Sequence, residues 1–492
     1  MEHLDVLVVG AGISGISAAY HLQRRLPSKS FAIFEARPRL GGTWDLFRFP
    51  GVRSDSDMHS LAFSFRPWKR TQSIVAGADI LAYLRETAAA FGIDCRIRFG
   101  RQVTGAAWDS AAARWTVTYR EGADGAQRQL TCGFLFFCAG YYSYAGGHRP
   151  AFPEESRFRG PIIHPQDWPQ DLDLAGKEVV VIGSGATAIT LVPALAKEAR
   201  HVVMLQRSPT YVVSRPSEDA LARRLAKFLP ATIAHRLARW RNVLLQMWFF
   251  RLARRRPSAV RAQILRMIRD QLGPDYDVAT HFSPTYKPWD QRLCLIPEAD
   301  LFEAIRAGGA SVVTGRIETF TETGVTLASG ETLAADVIVT ATGLEVELLG
   351  GATLEVDGAR VELGRTFSYK GLMFSGVPNL AAVFGYTNAS WTLKADLAAQ
   401  FVCRLLAHMD RRGWAECRPV GGDLGRAGAP WLDFSSGYIV RALDRLPKQG
   451  DRPPWKVRQN YLADLLALRF ARIEDGVLRF SAPGRAPIRT KA

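Results

Sequence analysis

Four short, unbroken apolar runs stand out in the pattern of hydrophobic and polar positions along this chain. The first two are Val6–Val9 and the run in "FAIFE", and the other two are Val179–Ile182 and the run in "HVVMLQRS". Runs that do not alternate with polar residues are typical of strands buried in a parallel sheet. Within each pair, a glycine-rich turn and a stretch of helical periodicity separate the two runs. The pattern therefore predicts two strand–turn–helix–strand units of an α/β fold.

The first glycine-rich turn directly follows the first strand. Gly10, Gly12 and Gly15 form G-x-G-x-x-G within "LDVLVVGAGISG". In this motif the glycines permit a tight turn, let a pyrophosphate approach the backbone, and let helix and strand pack closely. Glu35 ends the next strand, where an acid accepts hydrogen bonds from ribose hydroxyls. The sequence predicts a dinucleotide site at this turn.

The second turn repeats the pattern with a different ending. Gly183, Gly185 and Ala188 occupy the three motif positions, and alanine is accepted at the third. Where the first unit carries an acid, the second carries Arg207 and Ser208. An acid there would repel a 2′-phosphate, whereas arginine can bind one with charge-assisted hydrogen bonds. We therefore expect the second site to prefer NADPH to NADH.

Length and composition exclude several other classes. With 492 residues the chain is long enough for two or three structural units. Its formal charge of +16 is not accompanied by any recognisable nucleic-acid module, so no nucleic-acid partner is expected. None of the six cysteines forms a C-x-x-C pair, which argues against a metal site and a redox-active dithiol.

The ends of the chain and its apolar runs bear on location. The N-terminus enters a strand without the three regions of a signal peptide. No apolar run approaches the roughly 18 residues that span a bilayer. We therefore expect a cytoplasmic protein, either soluble or associated with a membrane surface.

Two further motifs carry a family resemblance. Phe158, Gly160, His164 and Trp168 match F-x-G-x-x-x-H-x-x-x-W-P, and "GGTWDLFRFPGVRSD" follows the first unit. In this order with the two turns, they resemble the class B flavoprotein monooxygenases, and the Trp-containing motif is similar to that of type I Baeyer–Villiger monooxygenases. "KPWDQRLCLIP" and "GYTNASWTLKADL" look like the mycobacterial ethionamide-activating subgroup. The resemblance extends through nearly the whole chain.

The resemblance implies FAD in the first site and NADPH in the second. It implies that Gly42, Thr43 and Trp44 run along FAD, that Arg292 stabilises a negatively charged C4a-peroxyflavin, and that Asp55 positions this arginine. Such an anion needs a fixed cation in a dry site. Arginine suits the role because it does not lose its proton.

The same resemblance assigns the linker motif to domain movement. His164 and Trp168 are implied to couple the two nucleotide-binding domains during closure rather than to perform acid–base chemistry. Many family members carry lysine immediately before the catalytic arginine, where this chain has Gln291. Recognition of the NADPH phosphate is therefore expected to rest on Arg207 and Ser208.

The function that follows is NADPH- and O2-dependent insertion of one oxygen atom into small ketones, giving esters or lactones, with S-oxidation of thioethers and thioamides. One alternative is a flavin-containing N- or S-hydroxylating monooxygenase without ketone activity, against which Trp168 and Arg292 weigh. Another is a flavoprotein that senses redox state or binds a partner.

The predicted architecture is α/β, with two Rossmann-like dinucleotide-binding domains and a helical insert. Residues 1–145 and 345–492 are expected to form the FAD domain, and residues 146–214 and 285–344 the NADP domain. The insert, residues 215–284, combines apolar stripes at helical spacing, among them Ile233, Leu237, Trp240 and Leu244, with many arginines. Two interpretations are open: helices lying on an anionic membrane, or a cap that packs over the active site with a solvated basic face. We favour the cap.

Overall fold

The structure is a computed structural model that describes residues 1–122, 124–291, 293–421, 428–432 and 434–483. Within them, the larger sheet has nine strands. Its spatial order is Ala359–Arg360, Thr353–Val356, Arg101–Asp109, Arg114–Glu121, Ala126–Phe137, His3–Val9, Phe31–Phe34 and Ile97–Arg98, and Leu380–Ala382 also pairs with Ala126–Phe137.

The predicted first unit lies at the parallel side of this sheet. Strand His3–Val9 pairs in parallel with Phe31–Phe34 on one side and Ala126–Phe137 on the other. Helix Ile13–Arg25 connects the first two strands and packs against the long helix Trp391–Arg412, which returns from the C-terminal part. The further helices on this part of the chain are Thr43–Leu46, Met58–Leu61 and Gly77–Ala90.

A second sheet contains the other glycine turn. Its five described strands are all parallel to their neighbours, in the order Ala310–Thr314, His201–Gln206, Glu178–Ile182, Val337–Thr340 and Ile162–Ile163. It is accompanied by helices Ala186–Leu195 and Asp300–Arg306 and by the antiparallel strands Ile317–Thr321, Gly324–Leu327 and Thr332–Ala334. Two parallel-sheet units with central strand–turn–helix segments confirm the predicted α/β fold.

The chain passes between the two sheets twice, and the two crossings pair with each other. Tyr142–Gly147 and Leu344–Val346 form a two-stranded antiparallel ribbon. The remaining short elements lie mainly in the C-terminal part. They are helices Gly437–Val440 and Tyr461–Leu465, the paired strands Ser368–Tyr369 with Met373–Phe374, Glu416–Pro419 with Leu478–Ser481, and Ala429–Pro430 with Lys448–Gln449, and the single helical turns Asp94–Arg96, Glu155–Arg157, Pro165–Asp167, Leu348–Gly351, Leu363–Arg365 and Leu466–Phe470.

The insert is helical, as predicted, but its orientation is unexpected. Its helices are Ala220–Phe228, Ala231–Arg255, Pro257–Leu272 and Val278–Phe282, flanked by the paired strands Val212–Arg215 and Cys294–Pro297. The predicted stripe residues Ile233, Leu237, Trp240 and Leu244 are all exposed. The stripe is therefore not the side of the helix that packs against the protein, because the helix buries its opposite side, and the cap over the active site stays a prediction. No helix within the described ranges has the length and apolarity needed to cross a bilayer.

Candidate active site

A cavity of about 1650 Å³ brings the two glycine turns together. It exceeds the roughly 300–1,000 Å³ of a usual small-molecule pocket. The predicted site residues that line it are Gly10, Gly12, Glu35, Gly42, Thr43, Trp44, Asp55, Gly183, Gly185, Arg207 and Ser208. Those that do not line it are Gly15, Ala188, Phe158, Gly160, His164 and Trp168. The cavity therefore has room for more than one ligand along two separate turns.

The first turn can be built only from glycine at two of its positions. Gly10 has φ +102°, and a Cβ there would lie 2.7 Å from the carbonyl oxygen of Cys138. A Cβ on Gly15 would lie 1.9 Å from the carbonyl oxygen of Gly10. The helix Ile13–Arg25 consequently starts directly against the strand, with its N-terminal N–H groups at the cavity.

Glu35 joins this turn to the end of the neighbouring strand. Its carboxylate is buried and accepts hydrogen bonds from the backbone N–H of Ala11 at 2.8 Å and of Arg37 at 3.0 Å. Burial raises the pKa of Glu35, against the opposing effect of these hydrogen bonds. The side chain also lines the cavity, so one acid both fixes the turn and faces the ligand space.

The glycine pair after the first unit lies directly against the first turn. Gly42 has φ +56°, and a Cβ there would lie 3.0 Å from the Cα of Gly12. The segment then forms the short helix Thr43–Leu46, within which Thr43 and Trp44 line the cavity. The two backbones form one continuous wall at this end of the cavity.

A buried carboxylate that the sequence analysis missed holds this wall in place. Asp45 is 2% exposed, and its oxygens lie 2.8 Å from Arg37, 3.1 Å from Arg39 and 3.4 Å from Arg85. Arg37 also donates to the carbonyl oxygen of Gly42 at 3.4 Å. Arg37 and Arg39 lie close to Asp45 in sequence, but Arg85 comes from a helix forty residues away, and the sequence does not show that this carboxylate is buried.

The second turn differs from the first in the space it leaves. Gly183 has φ +141°, and a Cβ there would lie 2.3 Å from the carbonyl oxygen of Ala341. A Cβ on Gly185, in contrast, would meet no protein atom within 4 Å. Gly185 begins helix Ala186–Leu195 and borders the cavity, while Ala188 is buried beneath it. The open position leaves room for a group to approach the helix N-terminus.

The cavity beside the second turn carries a positive charge. Arg207 and Ser208 are exposed and line it, and the carbonyl oxygen of Ser208 accepts a hydrogen bond from Ser184 at 2.8 Å. Gln206, which precedes them, is buried and donates to the carbonyl oxygen of His281 at 2.7 Å. This register points Gln206 into the protein and leaves Arg207 accessible to a ligand.

His164 lies at the crossing between the sheets. Its Nδ1 accepts from the backbone N–H of Gln166 at 3.2 Å, so its Nε2 carries the proton and donates to the carbonyl oxygen of Gly343 at 3.1 Å. Burial lowers the pKa of His164, which favours this neutral ring. A Cβ on Gly147 would lie 1.9 Å from the ring. His164 thus contacts Gly147 in one strand of the crossing ribbon and Gly343 directly before the other, and it does not line the cavity.

The other linker-motif residues pack against the second sheet. A Cβ on Gly160 would lie 2.3 Å from the carbonyl oxygen of Asp336, so only glycine fits there. Phe158 is buried in the apolar cluster on one face of the sheet, and Trp168 packs against the cluster on the other. The motif therefore fixes the crossing segment to the second sheet.

The predicted charge pair is only partly described. Asp55 lines the cavity, as do Gln291 and Cys294, but Arg292 lies outside the described residues. No disulfide joins the six cysteines, all of which are at described positions, and among them Cys95 is exposed. Across the described ranges, no cluster of His, Cys, Asp or Glu is arranged to hold a metal ion.

An aromatic wall closes the cavity near the first turn. Trp391 begins helix Trp391–Arg412, donates from Nε1 to Ser14 Oγ at 2.8 Å, and stacks on Tyr141 with ring centroids 5.3 Å apart. Tyr386 also lines the cavity and donates to the carboxylate of Asp464 at 2.7 Å. Trp391 therefore both lines the cavity and packs against its aromatic neighbour.

Comparisons with known proteins agree with this geometry. A family model described as flavin-binding monooxygenase-like matches residues 4–252. The chain is 54% identical over 484 residues to the FAD-containing monooxygenase EthA of Mycobacterium tuberculosis, covering 98% of each chain. It is 48% identical to the probable FAD-binding monooxygenase AlmA of Acinetobacter baylyi, covering 97% of this chain and 96% of the relative.

Solved structures show the same architecture. An oxidised steroid monooxygenase bound to NADP is 28% identical, with a TM-score of 0.71 over 85% of this chain and 88% of that one. An open cyclohexanone monooxygenase is 22% identical, with a TM-score of 0.72 over 85% and 90%, which shows the fold. The resemblance that the sequence motifs indicated is confirmed, and the chain belongs to the flavin-binding monooxygenase-like family.

Proposed function

We propose that this chain is an FAD- and NADPH-dependent monooxygenase that transfers one atom of O2 to a ketone, giving an ester or lactone. We also propose that it oxidises the sulfur of thioethers and thioamides. In the balanced reaction, ketone, O2, NADPH and a proton give ester, NADP⁺ and water. The observation that carries the proposal is that both glycine turns border one cavity.

The residues present fit both cofactors. At the first turn, Gly12 and Gly42 bring two backbones to a helix N-terminus without side chains in between, and Glu35 offers a carboxylate to a ribose. At the second turn, Gly185 leaves open space, and Arg207 supplies a cation. We therefore assign FAD to the first turn and NADPH to the second.

Bound FAD, reduced by NADPH, would supply the activation of O2. The chain itself would hold both nucleotides, exclude water and place charge near the reacting atoms. We assign Arg292 to stabilising negative charge and Asp55 to orienting that arginine, since a fixed cation in a dry site is worth more than one in water. We assign His164 and Trp168 to coupling the two nucleotide-binding units, because His164 donates to Gly343 at the crossing and Trp168 packs against an apolar cluster that joins the second sheet to Phe49.

The test supplies NADPH and ¹⁸O2 to the FAD-loaded protein with a panel of ketones and a matched panel of thioethers and thioamides. One ¹⁸O atom per ester molecule supports the proposal. Oxidised sulfur with no ester from any ketone would favour the N- or S-hydroxylating alternative. NADPH oxidation that yields only hydrogen peroxide, with no oxygenated product from either panel, would contradict a monooxygenase function.

Variants separate the assigned roles. Arg292→Ala should retain flavin reduction by NADPH in an anaerobic stopped-flow experiment but lose ester formation, typically by a factor of about 100 or more for a charge that acts in the transition state. Arg200→Ala, at an exposed arginine paired with Glu178, is the matched control and should behave as wild type. Unimpaired ketone oxygenation by Arg292→Ala would refute the role of Arg292.

A further inference from the structure

The longest helix of the insert buries charged and polar side chains and exposes large apolar ones, unlike an ordinary surface helix. Ala231–Arg255 buries His235, Arg239 and Asn242. Arg239 donates to the carbonyl oxygens of His59 and Ser60 at 3.2 and 3.0 Å, and Asn242 donates to Asp57 at 2.9 Å. Together with the buried Ala238 and Val243, these polar side chains hold the helix to the FAD-binding part.

The exposed side of the same helix is apolar. The residues that we call the outer stripe are spaced three or four apart or lie beside one another, and they are Ile233, Leu237, Trp240, Leu244, Leu245 and Trp248. Trp248 is 60% exposed, and Phe228, at the end of the preceding helix, is 84% exposed. A contiguous apolar surface of this kind marks a contact site, since soluble proteins seldom leave one uncovered.

The charge of the chain is concentrated around this stripe. Residues 220–269 contain thirteen lysines and arginines and no aspartate or glutamate. In the remaining chain, basic and acidic residues nearly balance, so this one segment carries most of the net charge of +16. Arg251 and Arg255 are exposed and continue the outer stripe at helical spacing, and Lys227 is exposed beside Phe228. The partner must therefore offer both apolar surface and negative charge.

We propose that the insert docks with its outer stripe on an anionic lipid bilayer. The acyl chains accept the leucines and Phe228, tryptophans favour the headgroup boundary, and the arginines meet the lipid phosphates. A second copy of this chain fits less well, because a two-fold interface would place this basic segment against itself.

Docking would bring the lipid close to the cavity. On the inner side of the helix, Val243 packs with Tyr386, and Met247 packs against the same small apolar cluster. Tyr386 lines the cavity, so one layer of side chains separates the docked helix from the ligand space. If the proposed monooxygenase function holds, this position suits an apolar substrate that partitions into the membrane. The docking itself does not depend on that function.

The test is co-sedimentation of the full-length, FAD-loaded protein with vesicles. One set contains phosphatidylcholine alone and the other about 30% phosphatidylglycerol, each at low and high salt. Wild type should bind the anionic vesicles at least about tenfold more tightly, and salt should weaken this binding. Arg251→Gln with Arg255→Gln should lose about 30-fold in affinity, at about a factor of five for each charge.

A second pair of variants tests the apolar contact. Phe228→Ser with Trp248→Ser should reduce binding by more than about tenfold and reduce the blue shift of tryptophan fluorescence on addition of vesicles, to which Trp240 still contributes. Phe99→Ser, at a residue that is 41% exposed and follows the edge strand Ile97–Arg98 of the larger sheet, is the matched control and should bind as wild type.

Three results would overturn the proposal. One is that wild type fails to bind anionic vesicles, and another is that both stripe variants bind like wild type. The third is that analytical ultracentrifugation shows a dimer which the stripe substitutions dissociate, with vesicle binding unchanged. Because binding is measured without NADPH or substrate, failure of docking and failure of the proposed enzyme activity are separate outcomes.

Discussion

Gly185→Ala should weaken NADPH binding without disturbing the fold. Gly185 has φ −78° and ψ −179°, an extended conformation that alanine adopts freely. The added methyl group would meet no protein atom within 4 Å. It would instead project into the space that a pyrophosphate needs when it approaches the N-terminus of helix Ala186–Leu195.

The expected magnitudes follow from these surroundings. Alanine is a poorer N-cap than glycine, which destabilises the fold by up to about 1 kcal/mol. Alanine also reduces the conformational entropy of the unfolded chain, which stabilises the fold by about 0.4–1 kcal/mol. The two effects offset, so the free energy of unfolding should stay within about 1 kcal/mol of wild type. Loss of one charge-assisted hydrogen bond to a phosphate costs about 1.5–3 kcal/mol. This corresponds to about a 10- to 150-fold weaker binding of NADPH.

The assay combines three measurements on the purified variant. Thermal unfolding reports stability, the flavin absorbance reports FAD content, and anaerobic stopped-flow reduction over a range of NADPH concentrations gives its apparent Kd. We expect wild-type Tm and FAD content together with a raised Kd. A folded, FAD-loaded variant with wild-type NADPH affinity would refute the assignment of NADPH to the second turn.

The neighbouring glycine is the control for backbone strain. Gly183→Ala places a Cβ 2.3 Å from the carbonyl oxygen of Ala341 at a φ of +141°. It should lower Tm as well as NADPH affinity, because the turn itself has to move. If Gly183→Ala and Gly185→Ala behave alike in stability, the open space at Gly185 is not what distinguishes the two positions.

Three further predictions concern charged residues. Arg207→Ala should raise the KM for NADPH by about 10-fold or more and leave the KM for NADH nearly unchanged, because only NADPH carries the 2′-phosphate; equal effects in steady-state assays with the two cofactors would contradict this. Asp45→Asn should lower the free energy of unfolding by about 2 kcal/mol, measured by urea denaturation, and reduce FAD content, because the buried carboxylate loses its charge-assisted hydrogen bonds to Arg37 and Arg39; a stable variant with full FAD would show that Asp45 is dispensable. Burial alone would raise the pKa of Asp396, but His21, Arg239 and Ser17 outweigh it and hold the pKa at about 2. Its roughly 2 kcal/mol of stabilisation is present above pH about 4 and is lost as the pH falls toward 2. Asp396→Asn should therefore remove this pH dependence from the free energy of unfolding, measured by urea denaturation at several pH values. A variant with the same pH dependence as wild type would show that the Asp396 carboxylate has an ordinary pKa.

The two glycine turns could be predicted because their requirements are local. At Gly10 and Gly183 the positive φ and the nearby carbonyl oxygen leave no space for a side chain. The glycines of the motif therefore predict the backbone geometry of each turn. Glu35 and Arg207 follow by register from the same units. Asp45 could not be predicted in this way, because its role depends on burial of the carboxylate and on Arg85, forty residues away, reaching it together with the nearby Arg37 and Arg39.

The sequence did not predict which face of the insert's longest helix is buried. Periodicity determined that Ala231–Arg255 is a helix with an apolar face, but not which face the protein buries. The tertiary structure decided this, because the carbonyl oxygens of His59 and Ser60 and the carboxylate of Asp57 lie where Arg239 and Asn242 can reach them. The sequence by itself determined two nucleotide turns, their order and the separate basic helices, since these depend on neighbouring residues. Only the folded chain set both turns on one cavity and turned the apolar stripe outward, since these depend on contacts between residues far apart in the sequence.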